Sequence, residues 1–209
     1  MKIKQCRICR RMNQKLFLKG EKCSSPKCPL IKRPYSPGEK PKKRRGGFSE
    51  YKKELLEKQK LRLWYGLSEK QFKIYIKKIL KKRGREEDAS SKLIKTLEKR
   101  LDNVVFRLGF ASSRRQARQL VSHSNFLVNG KPVNVPSYQV RQGDVISLKE
   151  QKKKKAFFKK VLSSLKKNQP MSWLELDKEK LSGKVIGEPN IEETGAPAEV
   201  SSIFEYYSR

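Results

Sequence analysis

Four cysteines lie close to the start of the chain, and no cysteine follows them. Their spacing is C-x2-C-x13-C-x4-C, over Cys6, Cys9, Cys23 and Cys28. In a cytosolic chain such a cluster favours a metal site over disulfides, because paired thiolates can face one ion. Four sulfur ligands leave no coordination position for water, so we expect a structural centre rather than a catalytic one. We predict a zinc ion, with a [4Fe–4S] cluster on the same four cysteines as the alternative.

The charge of the chain is strongly positive and unevenly spread. Its 209 residues include 52 Lys and Arg against 21 Asp and Glu, a formal net charge of +31. Residues 168–209 hold 4 of the basic and 8 of the acidic side chains, which leaves a net +35 on residues 1–167. Nucleic acid is therefore the leading partner, and an anionic membrane is the second candidate. No apolar run suits a membrane span and no secretory signal is recognisable, so we predict a cytoplasmic protein that binds no membrane.

The strongest secondary-structure pattern lies in residues 97–148. Apolar residues recur at helical spacing from Leu97 as far as Gly109, which ends the predicted helix. Ser113 begins a second helix, where Gln116 stands at the position that completes a capping box. These two helices must position whatever binds the polyanion.

A small antiparallel sheet is predicted after the two helices. Residues 126–128 form its first strand, Asn129-Gly130 the tight turn, and Val133 and Val135 begin the return strand. Residues 145–148 form the last strand of this module. Two more strands are predicted further along, at residues 170–176 and 183–186.

Three arginines of the second helix form the candidate phosphate-binding group. Arg114, Arg115 and Arg118 are three and four residues apart, so they are predicted to share an exposed face. A guanidinium group matches phosphate geometry with two parallel hydrogen bonds and is always charged. The alternative is an ordinary solvated face that binds nothing.

The remaining parts of the chain contain a basic arm and further helices. Residues 29–47 are rich in proline and glycine and carry a dense run of lysines and arginines, which predicts an arm that is either solvated or ordered by RNA. Helices are predicted to begin at Ser49 and Ser68. Trp64 and Tyr65 could stack on bases, but aromatics at helical spacing favour a place in the core.

Motifs in one collinear order run along the whole chain: CRICRR, LKGEKC, SPKC, RRGGFSEY, EKQKLRLWYG, SEKQF, LEKRLDNVVFRLGFASSRRQARQLV, VNG, PSYQVRQGD, WLELD and IFEYYSR. In this order they resemble the bacterial small-subunit ribosomal protein four family, in the branch that keeps four N-terminal cysteines. The resemblance implies an α+β fold class. A helical first domain would carry an inserted α/β RNA-binding module, with two helices on a small antiparallel sheet, and an N-terminal four-cysteine metal knob.

The resemblance also implies domain boundaries. Residues 1–46 would form the knob and basic arm, and residues 47–98 the helical rRNA-binding domain, completed by residues 198–209. Residues 99–190 would be the inserted domain, with its RNA-binding core at 99–150. Residues 191–209 would return to the helical domain.

The function that the resemblance implies is structural rather than enzymatic, with no small-molecule substrate. Members of the family bind 16S rRNA where several helices meet, nucleate assembly of the 30S body and contribute to translational accuracy. They contact small-subunit ribosomal protein five and other 30S proteins, and in some bacteria they repress their own mRNA. The mRNA that enters the subunit is a further candidate partner.

The predicted RNA-binding residues are basic or polar side chains from several separate parts of the chain. They are Arg10, Arg11, Lys40, Lys42, Lys43, Arg44, Arg45, Lys58, Lys60, Arg62, Arg100, Arg114, Arg115, Arg118, His123, Asn129 and Lys131. His123 is the single histidine, and Asn125 stands where members of the family often have a second one.

Two other functions would explain part of the sequence. The RNA-binding module also occurs in some pseudouridine synthases and tyrosyl-tRNA synthetases, but the residues on either side of it leave no room for a catalytic domain. A zinc-knuckle transcription or stress-response regulator, unattached to ribosomes, would explain the charge and the cysteines. It would not explain the collinear series of motifs.

Overall fold

The computed structural model describes residues 5–38, 47, 49–81, 89–153, 158, 165 and 169–208. They belong to two compact units, one formed by Met1–Gly84 with Ala196–Arg209 and the other by Arg85–Gly195. Helices and one small antiparallel sheet make up the described secondary structure, so the predicted α+β class is confirmed. None of the described helices has the length and apolar character needed to cross a membrane.

The described secondary structure runs in the following order along the chain. The helices are α1 (Gln5–Met12), α2 (Glu21–Ser24), α3 (Pro29–Lys32), α4 (Glu50–Trp64), α5 (Glu69–Lys81), α6 (Ala89–Glu98), α7 (Leu101–Arg107), α8 (Arg114–Ser122), α9 (Glu150–Lys153), α10 (Ile191–Thr194) and α11 (Val200–Ser208). The strands are β1 (Phe126–Val128), β2 (Lys131–Pro132), β3 (Val145–Leu148), β4 (Leu174–Asp177) and β5 (Ser182–Val185).

The first unit is helical, with α11 packed along α4. Ile203 and Phe204 of α11 are buried, as expected if residues 198–209 complete the helical domain. Trp64 and Tyr65 are also buried, and their rings meet edge to face with centroids 4.9 Å apart. The prediction that these two aromatics belong to the core is therefore confirmed.

The second unit contains a five-stranded sheet in the order β2-β1-β3-β5-β4, with every neighbouring pair antiparallel. Val128 pairs with Ile146, and the other neighbour of β3 is β5. One face of the sheet packs against α7 and α8 in a single apolar cluster that includes Val104, Ala117 and Phe126. This is the arrangement of two helices on a small sheet that the sequence predicts.

The helix predicted from Leu97 to Gly109 is in fact two helices with a break at residue 100. Arg100 has an extended backbone, with φ −71° and ψ 136°, and forms an isolated antiparallel bridge with Gln139. The amide of Leu101 donates to the carbonyl of Tyr138 at 2.8 Å. Hydrogen bonds from a distant loop thus replace the helical ones at the break, and local spacing carries no signal of them.

The return strand after the Asn129-Gly130 turn is shorter than predicted. β2 contains only Lys131 and Pro132, whereas Val133 and Val135 lie outside it. The amide of Val133 still donates to the carbonyl of Phe126 at 3.3 Å, so one further hydrogen bond extends the pairing beyond Pro132.

The cap of α8 differs from the predicted capping box in one partner. The Ser113 hydroxyl accepts from the Gln116 amide at 3.3 Å, as predicted. The side-chain Oε1 of Gln116, however, accepts from both the backbone amide and the hydroxyl of Ser112, each at 2.8 Å, and not from the amide of Ser113. The side-chain amide therefore orders the turn that precedes α8.

The boundaries between the units differ from those expected at residues 98 and 191. α6 belongs to the second unit, where it contacts α7 and α10. Arg107 of α7 bonds both the carboxylate of Glu98, at the end of α6, and the carbonyl of Thr194, at the end of α10, at 2.9 Å each. These polar contacts hold α6 and residues 191–195 in the inserted unit.

Replacing Gly183 with alanine is expected to destabilise the second unit. Gly183 is buried opposite Ile146, and an added Cβ would lie 2.4 Å from Cδ1 of Leu108. Overpacking of this kind costs about 1–3 kcal/mol of unfolding free energy. Urea unfolding can be followed through Trp173 fluorescence in a Trp64→Phe background.

The matched control for this substitution is Gly187→Ala. The nearest atom to a Cβ at Gly187 is Cβ of Trp173 at 3.8 Å, an ordinary contact distance. Gly187→Ala should therefore leave the urea midpoint close to that of the parent protein. Equal midpoints for the two variants would contradict the proposed clash with Leu108.

Candidate nucleic-acid interface

The four cysteines are brought together in the four-cysteine knob, which we define as residues 5–38. Cys6 and Cys9 lie one turn apart on α1, Cys23 is on α2, and Cys28 immediately precedes α3. All four line one small cavity, and all are free of disulfides. Cys9, Cys23 and Cys28 are buried, and Leu16 is the one other buried apolar side chain between residues 5 and 38. The knob therefore has no hydrophobic core of its own.

Backbone amides are directed at two of the sulfur atoms. The Lys19 amide donates to Sγ of Cys23 at 3.4 Å, and the Leu16 amide bonds Cys9. Burial raises the pKa of the Cys9 thiol, and the other three cysteines raise it further, whereas the Leu16 amide lowers it. A cation among the sulfurs would remove this repulsion between thiolates, so the donor set fits a tetrathiolate centre. In the described part of the chain, however, no group of three or more His, Cys, Asp or Glu side chains is in place to hold an ion.

The knob also displays basic side chains. Arg11 is exposed on α1, as predicted for an RNA contact. Arg10 is partly buried because its Nε donates to the carbonyls of Arg33 and Tyr35, at 3.1 and 2.9 Å. The basic run Lys40, Lys42, Lys43, Arg44 and Arg45 lies outside the described residues.

The predicted RNA contacts on α4 are bound inside the first unit. Lys58 is only 4% exposed, and its ammonium bonds Glu69 at 2.8 Å. Arg62 also pairs with Glu69, at 3.1 Å, and Lys60 pairs with Glu57 on its own helix. Burial opposes the ionisation of Glu69, but hydrogen bonds from Lys58 and Tyr207 hold its pKa below the usual value. Lys58 is therefore a structural residue that ties α4 to α5, which corrects its prediction as a surface contact.

Arg100 is likewise not available at the surface. Its residue exposure is 1%, and its guanidinium forms two bonds with Asp102, of 3.0 and 2.6 Å. Burial raises the pKa of the Asp102 carboxyl, although the bonds from Arg100 act in the opposite direction. Arg100 and Asp102 thus form a buried salt bridge, and the prediction that Arg100 contacts RNA does not fit its burial.

The three arginines of α8 do not share one exposed face. Arg115 is exposed and Arg118 is partly exposed. The Arg114 side chain is only 10% exposed, and its Nε donates to Oδ1 of Asn103 at 2.8 Å. Its guanidinium also lies 4.6 Å from the centre of the Phe106 ring. Arg114 therefore fixes α8 against α7, and Arg115 is the most exposed arginine of α8.

A buried carboxylate that the sequence analysis missed lies at the centre of this arrangement. Glu98 is fully buried, and Arg107 donates to both of its oxygens, at 3.0 and 2.9 Å. Asn103 donates to the same carboxylate at 2.7 Å, and Nη2 of Arg114 lies 4.0 Å from it. The sequence does contain one indication of this buried carboxylate. Glu98 lies in the apolar stripe that includes Ile94 and Leu97, where an acidic residue requires buried partners.

The predicted contacts of the hairpin divide into two kinds. His123 at the end of α8 and Lys131 in β2 are exposed. Asn129 instead donates to Asp144 at 2.8 Å and accepts from the Val145 amide at 2.9 Å, with φ +50°. It therefore maintains the turn, and its side-chain amide is already engaged.

Replacing Arg115 with alanine is expected to weaken RNA binding without unfolding the protein. The slope of log affinity against log salt should become shallower by about 0.7–0.9, the change for one lost phosphate contact. Arg114→Ala should instead lower the unfolding free energy by about 1–3 kcal/mol, because buried Asn103 loses its partner. Salt titrations of RNA binding and urea unfolding are measured for both variants. Gln119→Ala, at an exposed position of α8, is the control for both measurements. An unchanged slope for Arg115→Ala would refute the phosphate contact.

Comparison with known protein families gives two matches that adjoin each other. Residues 1–98 match the family described as "Ribosomal protein S4/S9 N-terminal domain", and residues 99–146 match the family described as "S4 domain". The second match contains α7, α8 and strands β1 and β2, and extends into β3.

Curated relatives are similar over nearly the whole length. The protein named "Small ribosomal subunit protein uS4" of Caldicellulosiruptor saccharolyticus is 48% identical over 204 residues, which is 98% of this chain and 96% of the relative. Those of Fervidobacterium nodosum and Thermus thermophilus are 45% and 46% identical, with the same coverage of both chains.

Proposed function

Because the chain belongs to the ribosomal protein S4 family, we propose that it is a structural component of the small ribosomal subunit that binds 16S rRNA in the cytoplasm. The sequence identity of 45–48% with curated relatives over 98% of the chain carries this proposal. The family is structural and non-enzymatic, so the prediction that the chain is not an enzyme is confirmed by its membership.

We further propose that the RNA site is a junction at which several helices converge. Exposed cations are present on both units, among them Arg11 of the knob, Arg115 of α8 and Lys131 of β2. A junction presents phosphates on several sides, whereas one duplex groove presents them on one. Assembly nucleation at such a junction and an effect on translational accuracy are part of this proposal.

The test is a salt titration of binding to an isolated junction RNA and to a plain hairpin of equal length. If roughly eight to twelve phosphates are neutralised, the slope of log affinity against log salt should be about −6 to −10 on the junction. The hairpin should show a shallower slope and weaker binding. Equal slopes and affinities on the two RNAs would mean that the charge supplies only nonspecific attraction.

We also propose a structural metal centre on Cys6, Cys9, Cys23 and Cys28. The lack of a hydrophobic core in the knob and the amides directed at Cys9 and Cys23 support it. The expected metal is zinc, with a [4Fe–4S] cluster as the alternative, and either would supply rigidity rather than reactivity. Metal analysis and the visible absorbance of anaerobically purified protein distinguish the two.

The remaining partners are proposed from the family. Small-subunit ribosomal protein five, other 30S proteins and incoming mRNA are the expected neighbours, and repression of the chain's own mRNA is a further proposal. Exposed acidic residues such as Glu192, Glu193 and Glu205 suit a protein neighbour rather than RNA. Cross-linking within assembled subunits tests these contacts. A free regulator, the competing hypothesis, would be washed from 30S particles by high salt.

A further inference from the structure

The four-cysteine knob presents one aromatic ring that is both exposed and held in place. Tyr35, in the segment after α3, is 39% exposed. The guanidinium carbon of Arg10 lies 4.8 Å from the centre of its ring, within the range of a cation–π contact. Arg10 on α1 and Tyr35 therefore form a stacked pair at the surface of the knob.

The guanidinium of this pair is fixed by the backbone that carries the tyrosine. Arg10 Nε donates to the carbonyls of Arg33 and Tyr35, at 3.1 and 2.9 Å. Pro34 lies between these two carbonyls and restricts the chain, because the proline ring fixes φ. Within the described residues, the two Nη groups of Arg10 have no hydrogen-bond partner.

The surroundings of the pair are strongly cationic. Residues 5–38 contain nine Lys and Arg side chains and a single acidic one, Glu21. Arg7 lies one turn before Arg10 on α1 and Arg11 is the next residue after it; both are exposed, and their spacing of four places them on one face of the helix. A ligand complementary to this surface would therefore carry negative charge, to pair with the arginines, beside a flat apolar group that can lie on the Tyr35 ring.

A nucleotide with an unpaired base has this combination of properties. Bases inside a duplex are already covered on both faces, whereas unpaired bases of loops and bulges stack on aromatic rings or on guanidinium planes. Phosphates on either side of such a base would meet the neighbouring arginines. A protein partner with an apolar surface would not explain the concentration of positive charge.

We propose that the Arg10–Tyr35 pair is a stacking platform for one unpaired base of the bound RNA. This inference rests on the proposed rRNA-binding function and adds to it the class of nucleotide that the knob recognises. The ring supplies the stacking surface, and Arg10 positions the ring and offers its Nη groups to the base edge or an adjacent phosphate.

The test compares the full-length protein with Tyr35→Leu, Tyr35→Phe and the control Ile31→Ala, an exposed apolar residue of the same knob. Affinities for the junction RNA are measured as a function of salt. Tyr35→Leu should weaken binding by about 5- to 150-fold, the range for loss of one stacked base, with no change in salt slope because stacking neutralises no phosphate. Tyr35→Phe and Ile31→Ala should bind like the wild type.

A scan of abasic substitutions in the unpaired nucleotides of the junction completes the test with wild-type protein. One abasic position should weaken wild-type binding as much as Tyr35→Leu does, and the two changes together should cost no more than either alone. The proposal is overturned if every abasic position weakens binding by Tyr35→Leu as much as it weakens binding by the wild type. It is also overturned if Tyr35→Leu binds like the wild type. A failure of the proposed function would show separately, as equal wild-type affinity for junction and hairpin.

Discussion

Replacing Cys9 with serine is expected to abolish the proposed metal centre and to unfold the four-cysteine knob. Cys9 is buried, and three cysteines and Leu16 are the buried apolar side chains between residues 5 and 38. Structural zinc contributes about 10–16 kcal/mol of apparent binding free energy in small metal-dependent domains. A segment with so little apolar burial would therefore depend on the proposed centre for its fold.

The measurement is metal content per chain, together with limited proteolysis of the purified protein. Cys9→Ser should lose the bound zinc or iron and become sensitive to protease before residue 38, while the urea midpoint that Trp173 reports in a Trp64→Phe background stays unchanged. That probe lies in the second unit, which has its own core. Ser24→Ala, at an exposed serine of α2, is the control and should keep its metal. If wild-type protein prepared anaerobically contains neither zinc nor iron, the proposed centre is wrong.

Replacing Glu98 with glutamine is expected to destabilise the second unit by about 3–5 kcal/mol, the usual cost of removing one partner of a buried ion pair. Glu98 is fully buried and accepts two bonds from Arg107 and one from Asn103. Glutamine keeps the volume but leaves the Arg107 charge without its counter-ion in a low-dielectric place. Arg114, whose Nη2 lies 4.0 Å from the same carboxylate, would also lose its electrostatic attraction to Glu98.

Urea unfolding followed through Trp173, with Trp64 replaced by phenylalanine, measures this effect on one unit. Glu188→Gln is the matched control, because Glu188 is an exposed carboxylate that pairs with Lys95 and Lys99 at 3.1 and 2.6 Å. Exposed ion pairs contribute only about 0–1 kcal/mol, so the control should differ little from the parent protein. Equal losses for the two variants would show that Glu98 has no special structural role.

The periodic apolar pattern of the chain was sufficient to predict most of the elements. The helices after Ser49 and Ser68, the strands at 126–128 and 145–148, and the cap at Ser113 follow from residue spacing and local hydrogen bonding. Such features depend on neighbours within a few positions, which is why a sequence read alone can indicate them. The four cysteines were likewise identified from spacing, and the structure places them around one cavity.

The role of each basic residue could be decided only by the tertiary structure. Composition indicated a polyanionic partner, but it could not separate Arg115, which faces solvent, from Arg114, which bonds Asn103. Nor could it show that Lys58 and Arg100 are buried beside Glu69 and Asp102. Each of these assignments depends on which carboxylate or amide the fold brings within hydrogen-bond distance. An arginine or lysine at helical spacing is compatible with either a phosphate or a buried acid, and the acid is supplied by another part of the folded chain.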